Sequence, residues 1–122
     1  MSSILSSSSG PSKEELATAT DKAKEIVSSA AVVVFSKTYC GYCQRVKHLL
    51  TKLGASYKVV ELDKEGDGAT VQSALADWTG VRTVPNVFIG GNHIGDCDSV
   101  TKKHQAGQLE PLLKSAGAVK TG

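Results

Sequence analysis

Helical spacing and apolar runs alternate along this chain from residue 12 onward. Leu16, Ala19, Ala23, Ile26, Val27 and Ala30 recur every three or four positions, which predicts a helix over 12–29. Ser12 and Glu15, following Pro11, form a capping-box pattern at its start. Residues 31–36 are apolar at all but the last position, as expected of a strand buried on both faces. Val46, Leu49, Leu50 and Leu53 share one face of a second helix, Gly41 to Leu53, and Gly54 stands where a terminating glycine belongs. Tyr57 to Leu62 reads as a second strand and Asp63 to Gly68 as a polar loop. Val71, Leu75 and Trp78 mark a third helix closed by Gly80. Asn86 to Ile89 is a third strand, Gly90-Gly91-Asn92 a tight hairpin turn, and His93-Ile94 the start of a fourth. Two short helices, 98–105 and 108–116, are separated by Gly107.

The element order α-β-α-β-α-β-β-α-α has a physical consequence. Strands one and two, joined through a helix, must run parallel with a right-handed crossover, whereas the last two form an antiparallel hairpin. The expected fold class is therefore α/β, a four-stranded mixed sheet flanked on both faces by about five helices. No internal repeat interrupts it.

Length and composition narrow the reading. The 122 residues suit one domain, placed at 12–116, with a disordered Ser-rich tail at 1–11 and a flexible C-terminal tail at 117–122. A net charge of +2 and six aromatics give little support for nucleic acid as a partner, or for a membrane surface. No apolar stretch approaches the roughly 20 residues that span a bilayer. The first nine residues, six of them serine, are too polar and too short for a secretory signal and contain no Arg. The expected location is cytoplasmic, with an organellar leader left open. Three cysteines cannot all pair, which argues for a reducing compartment in which a CxxC pair works catalytically.

That pair is Cys40-Gly41-Tyr42-Cys43, set where the first strand hands over to the second helix. A helix N-terminus offers unpaired N–H groups and the positive end of the dipole, and both favour a thiolate. Cys40 should sit at the cap and attack; Cys43, about one turn on, should be deeper and resolve a mixed disulfide. Lys37 adds positive charge three residues before Cys40. Two blander readings compete: half of a zinc site, and two ordinary buried cysteines. A structural zinc site needs four ligands, and only Cys97, His48, His93 and His104 are on offer, with no second CxxC and no shared ligand spacing. The three histidines read as surface residues and Trp78 as a core anchor.

Three segments together carry a resemblance: Val34-Phe35-Ser36-Lys37-Thr38-Tyr39-Cys40-Gly41-Tyr42-Cys43, then Arg82-Thr83-Val84-Pro85-Asn86-Val87-Phe88-Ile89-Gly90-Gly91, then Ile94-Gly95-Asp96-Cys97-Asp98. Over about residues 12–116 the chain resembles a glutaredoxin of the thioredoxin superfamily, and its CGYC form resembles the dithiol glutaredoxins of plants.

The resemblance implies a thioredoxin-like fold and a glutathione site in three patches. Lys37 and Tyr42 would lie beside the active cysteine, with Lys37, Arg82 and Gln72 as candidates for the glycyl carboxylate. Thr83, Val84 and Pro85 would form the strand-like edge, on which the Val84 main chain pairs with the cysteinyl part. Cys97 N–H and Asp98 would hold the γ-glutamyl end at a helix start. Pro85 is expected to be cis, turning the Val84 N–H and C=O outward. Asp98 is also a candidate helix cap. Asp96 departs from the glycine many relatives carry, and adds a carboxylate near the γ-glutamyl group; a positive φ there would be costly for Asp.

Two functions follow from the resemblance. One is a glutathione-dependent thiol–disulfide oxidoreductase that reduces protein–glutathione mixed disulfides and protein disulfides through Cys40 and Cys43. The other is a cofactor protein in which Cys40 of each subunit and two glutathiones ligate a [2Fe–2S] cluster bridging a homodimer, the cluster-free protein being a monomer. Gly41, in place of the proline of many relatives, supports the second.

Overall fold

The computed structural model describes residues 11–119. The first ten residues of the expected N-terminal tail and the last three of the chain lie outside them.

Helix α1 runs Lys13–Ser28. Its start is the capping box read from the sequence: Ser12 Oγ accepts from the Glu15 N–H at 3.1 Å, and Glu15 Oε1 accepts from the Ser12 N–H at 3.0 Å. Strand β1, Val32–Ser36, is buried at every residue. Helix α2 covers Gly41–Lys52, and Gly54 (φ +76°) ends it while Ala55 N–H reaches the Leu50 carbonyl at 2.9 Å. Strand β2 is Lys58–Glu61.

The stretch expected to be a polar loop is partly ordered as a 3₁₀ turn, Leu62–Lys64. Leu62 is the reason: its side chain is buried and pins the turn to the core. Helix α3, Gly68–Thr79, starts hard against that turn; a Cβ on Gly68 would lie 1.7 Å from the Leu62 carbonyl oxygen. Gly80 (φ +83°) closes α3, as read from the sequence. Strands β3, Asn86–Ile89, and β4, Asn92–Gly95, form the hairpin. Helices α4, Cys97–Gln105, and α5, Leu109–Ser115, complete the chain.

The sheet order is β2-β1-β3-β4, with β1 parallel to β2 and antiparallel to β3, and β3 antiparallel to β4. Alternation along β1 divides the core. Val33 and Phe35 face α1 and α3 with Phe88, Leu75 and Val71. Val32 and Val34 face α2, α4 and α5 with Val46, Leu50 and Leu113. Trp78 stacks on Phe88 with ring centroids 5.1 Å apart, the anchor expected of it. Residues 117–119, assigned from sequence to the C-terminal tail, pack onto the domain: Ala118 is buried, and its carbonyl accepts from the Ser56 N–H at 2.8 Å. That single bridge to the α2–β2 connection extends the ordered unit beyond residue 116.

Candidate active site

Because β1 is central and parallel to β2, its C-terminal end opens beside the 3₁₀ turn and the head of α2. Cys40 is the N-cap of α2, in extended backbone (φ −88°, ψ 118°), and its Sγ accepts from the Cys43 N–H at 3.3 Å. A sulfur in that position is held where negative charge is favoured. Its S–H also reaches the Val84 carbonyl at 3.7 Å. Cys40 is half-buried, whereas Cys43 is completely buried. Burial pushes the Cys43 thiol up to about 11, and the contact with Cys40 adds to the rise against opposing hydrogen bonds from Ser36 and Lys37. At neutral pH the two sulfurs are therefore unequal, with Cys43 a thiol and Cys40 the accessible one.

The turn carrying Cys40 is tied down twice. Cys40 N–H donates to the Lys37 carbonyl at 3.1 Å. Thr38 N–H donates to Asp63 Oδ1 at 3.0 Å, and the Thr38 hydroxyl donates to Asp63 Oδ2. These two bonds hold the Asp63 carboxyl below the usual carboxylate range. Asp63 was not legible as a site residue, since it stands 23 positions after Cys40 in a stretch read as loop.

The Val84–Pro85 bond is cis. Beside it lies a groove of about 520 Å³ that brings together Tyr42, Thr83, Val84, Pro85, Cys97 and Asp98 from three separate stretches of chain. Arg45, Asp96 and Thr101 complete its wall. Arg45 also sits over the Tyr42 ring, 5.4 Å from its centroid, a neighbour placed by the three-residue helical spacing. Gln72 and Arg82 meet each other instead, Gln72 Nε2 donating to the Arg82 carbonyl at 2.9 Å, and line a neighbouring depression against Leu16 of α1. Lys37 lines neither hollow and is half-buried at the base of the Cys40 turn.

At the head of α4 the sequence reading needs correction. The cap is Asp96, whose Oδ1 accepts from the Ser99 N–H at 3.0 Å, and the helix starts at Cys97. Asp98 lies inside the first turn, exposed and paired with Lys102 at 3.1 Å. Two aspartates two positions apart offer the same local signal; backbone geometry selects the one in extended conformation (φ −87°, ψ −173°). The positive φ feared at Asp96 falls on Gly95 instead (φ 122°). Among the described residues, the Cys97 and Asp98 N–H groups have no acceptor within the protein. All three histidines, His48, His93 and His104, are exposed, as read from the sequence. The His93 ring also bonds the buried Asn86 at 2.8 Å, and partial desolvation on that side, opposed by the Asp96 charge, holds its pKa below the ordinary imidazole value.

A half-buried thiol at a helix cap, a fully buried partner one turn on and the Val84 edge beside the first make up a disulfide-exchange centre. The glutaredoxin family model matches residues 32–94, about half of the chain, and takes in the CxxC pair, the proline edge and the hairpin. The chain belongs to the glutaredoxin family. A glutaredoxin of Ricinus communis is 72% identical over 98 residues, covering 80% of this chain and 96% of that one. Glutaredoxin-C1 of Arabidopsis thaliana is 65% identical, over 88% and 86% of the two chains. Among solved structures, a buckwheat glutaredoxin–glutathione complex superposes with TM-score 0.89 at 58% identity, covering 90% of this chain and all of that one. The holo form of glutaredoxin C1 from Populus tremula x tremuloides superposes with TM-score 0.80 at 69% identity, over 81% and 98%. Glutaredoxins are thiol oxidoreductases, and in this glutaredoxin Cys40 and Cys43 are the thiols with the geometry for that chemistry.

Proposed function

We propose that this glutaredoxin reduces protein–glutathione mixed disulfides and protein disulfides with Cys40 as nucleophile. The observation that carries the reading is the inequality of the two sulfurs at the head of α2, with the Val84 edge 3.7 Å from the reactive one. The Cys40 thiolate attacks the glutathione sulfur of the mixed disulfide; that S–S bond breaks and the client leaves as a thiolate that takes a proton from water. A second glutathione thiolate then attacks the glutathione sulfur on Cys40, giving glutathione disulfide and regenerating the Cys40 thiolate. Direct reduction of a protein disulfide uses Cys43 as the resolving thiol. Tyr42, Thr83 and Val84 line the tripeptide's path, and the free N–H groups of Cys97 and Asp98 receive its γ-glutamyl carboxylate. The similarity to a glutaredoxin described as a glutathione complex supports this assignment. The test compares wild type, Cys40→Ser and Cys43→Ser on a glutathionylated peptide and on a protein disulfide. Cys40→Ser should abolish both activities and Cys43→Ser only the second; retained activity in Cys40→Ser overturns the reading.

We also propose that Cys40 takes part in a glutathione-ligated [2Fe–2S] cluster bridging two copies of the chain. Cys40 fits as a ligand because it is half-exposed between the exposed Tyr39 and Tyr42, and Gly41 presents no side chain above it. Cys43, buried and protonated, is not available. Among the described residues no three His, Cys, Asp or Glu side chains converge, so the remaining ligands have to come from outside one chain. The relative described as a holo form is consistent with a bound cofactor. The cluster would supply electron-transfer chemistry and would occupy the same sulfur that the exchange reaction needs. An anaerobic absorption spectrum with iron, sulfide and size-exclusion analysis, on wild type and Cys40→Ser with glutathione present, decides it. Charge-transfer bands and a dimer in wild type alone support the cluster; a colourless monomer sinks it.

A further inference from the structure

The head of α4 holds more negative charge than capping a helix requires. Asp96 and Asp98 both lie on the wall of the groove that ends at Cys97, close to two unpartnered N–H groups. Lys102 pairs with Asp98 at 3.1 Å and so offsets that carboxylate. Asp96 has no cationic partner within 4 Å; it is bonded to the neutral Ser99, whose N–H it takes away from any incoming carboxylate. Bonds to Ser99 keep the Asp96 carboxyl ionised, below the ordinary range. The other titratable or charged groups on this side are Arg45, over Tyr42, Lys102, whose charge also favours the Asp96 carboxylate, and the His93 ring, whose pKa partial desolvation lowers.

Resting on the glutathione reading above, we propose that Asp96 is a specificity residue, an electrostatic filter that admits a thiol ligand whose α-amino acid head is a zwitterion and rejects one whose head is anionic. The physics is a difference of two Coulomb energies. A free γ-glutamyl head carries one ammonium and one carboxylate, so its net interaction with the Asp96 charge is small. Acylating the amine leaves the carboxylate alone, repelled by Asp96 and deprived of the Ser99 N–H. At the separations available in the groove, in a wet and partly screened site, one such repulsion corresponds to about a three- to tenfold loss of kcat/KM.

The experiment uses Asp96→Asn, because asparagine is as good a helix cap as aspartate and keeps α4 intact; a melting curve checks this. The reductions of one peptide carrying glutathione and of the same peptide carrying N-acetylglutathione, its α-amine blocked, both with glutathione as the common reductant, are compared in wild type and variant at low and moderate salt. The expected result is a wild-type preference for the glutathione adduct over the blocked one that falls about three- to tenfold in Asp96→Asn and narrows with salt in wild type only. A preference that survives the substitution unchanged overturns the proposal, leaves the glutathione reading standing, and assigns discrimination to Asp98. A wild type that does not distinguish the two adducts overturns both the filter and the placement of the γ-glutamyl head at α4.

Discussion

Cys40 and Cys43 lie within one helical turn, yet the fold gives them opposite surroundings, and two consequences are measurable. Iodoacetamide at neutral pH should label Cys40 and leave Cys43 unmodified, read site by site by peptide-mapping mass spectrometry, with the half-buried Cys97 scored separately. The second consequence is a pH effect. The Cys43 thiol in the fold sits at about 11, above its ordinary 9.0, so below pH 9 both folded and unfolded chains hold the proton. Between pH 9 and 11 the unfolded chain loses it first, and stability falls as pH rises. From pH 8 to 10.5 wild type should therefore lose up to about 2 kcal/mol more than Cys43→Ala, by denaturant titration. Equal losses would mean that the buried thiol ionises without hindrance.

At the scale of elements, α1 and α3 show two ways in which a helix start is specified. Ser12 and Glu15 satisfy each other's backbone donors, so Ser12→Ala should cost about 1 kcal/mol in a thermal or denaturant melt. Gly68 works by absence. A methyl there would overlap the Leu62 carbonyl at 1.7 Å, backbone against backbone, so Gly68→Ala should cost about 3 kcal/mol or more. The first of these devices is local and could be read along the chain, as could the strand runs, the glycine stops and the CxxC position. The second depends on where β2 delivers Leu62, which no spacing reveals. The same limit explains the rest of what was missed. The cap of α4 was a choice between Asp96 and Asp98 settled by backbone angles. That Gln72 would bond the Arg82 main-chain carbonyl and share with it a hollow against Leu16 is likewise set by tertiary packing, which no spacing reveals. Asp63 and Arg45 carried no signal of their own in the sequence; the fold brings each to the Cys40 turn or the groove beside it.

Across the whole molecule, the reactive turn is held by something outside itself. Strand β1 carries a core on each face and leads straight into the Lys37–Cys40 turn, while the 3₁₀ turn after β2 supplies the Asp63 clamp on Thr38. Asp63 is exposed and buries nothing, so Asp63→Ala should scarcely move the melting temperature. It should instead lower kcat/KM about five- to tenfold through misplacement of the Cys40 turn. Asp63→Asn, which still offers an oxygen to the Thr38 N–H, should recover most of the loss. A large drop in melting temperature with unchanged kinetics would make Asp63 an ordinary structural residue.

The burial of Cys43 also sets a waiting time. On the proposed reaction, Cys40 leaves its first encounter carrying glutathione, and the nearest sulfur placed to release it is a protonated thiol, slow to attack. The adduct then persists until a free thiol arrives from solution. How long each molecule stays loaded is governed by the surrounding supply of reduced glutathione rather than by its own second cysteine, so the fraction of loaded molecules gauges the balance between glutathionylated clients and that supply.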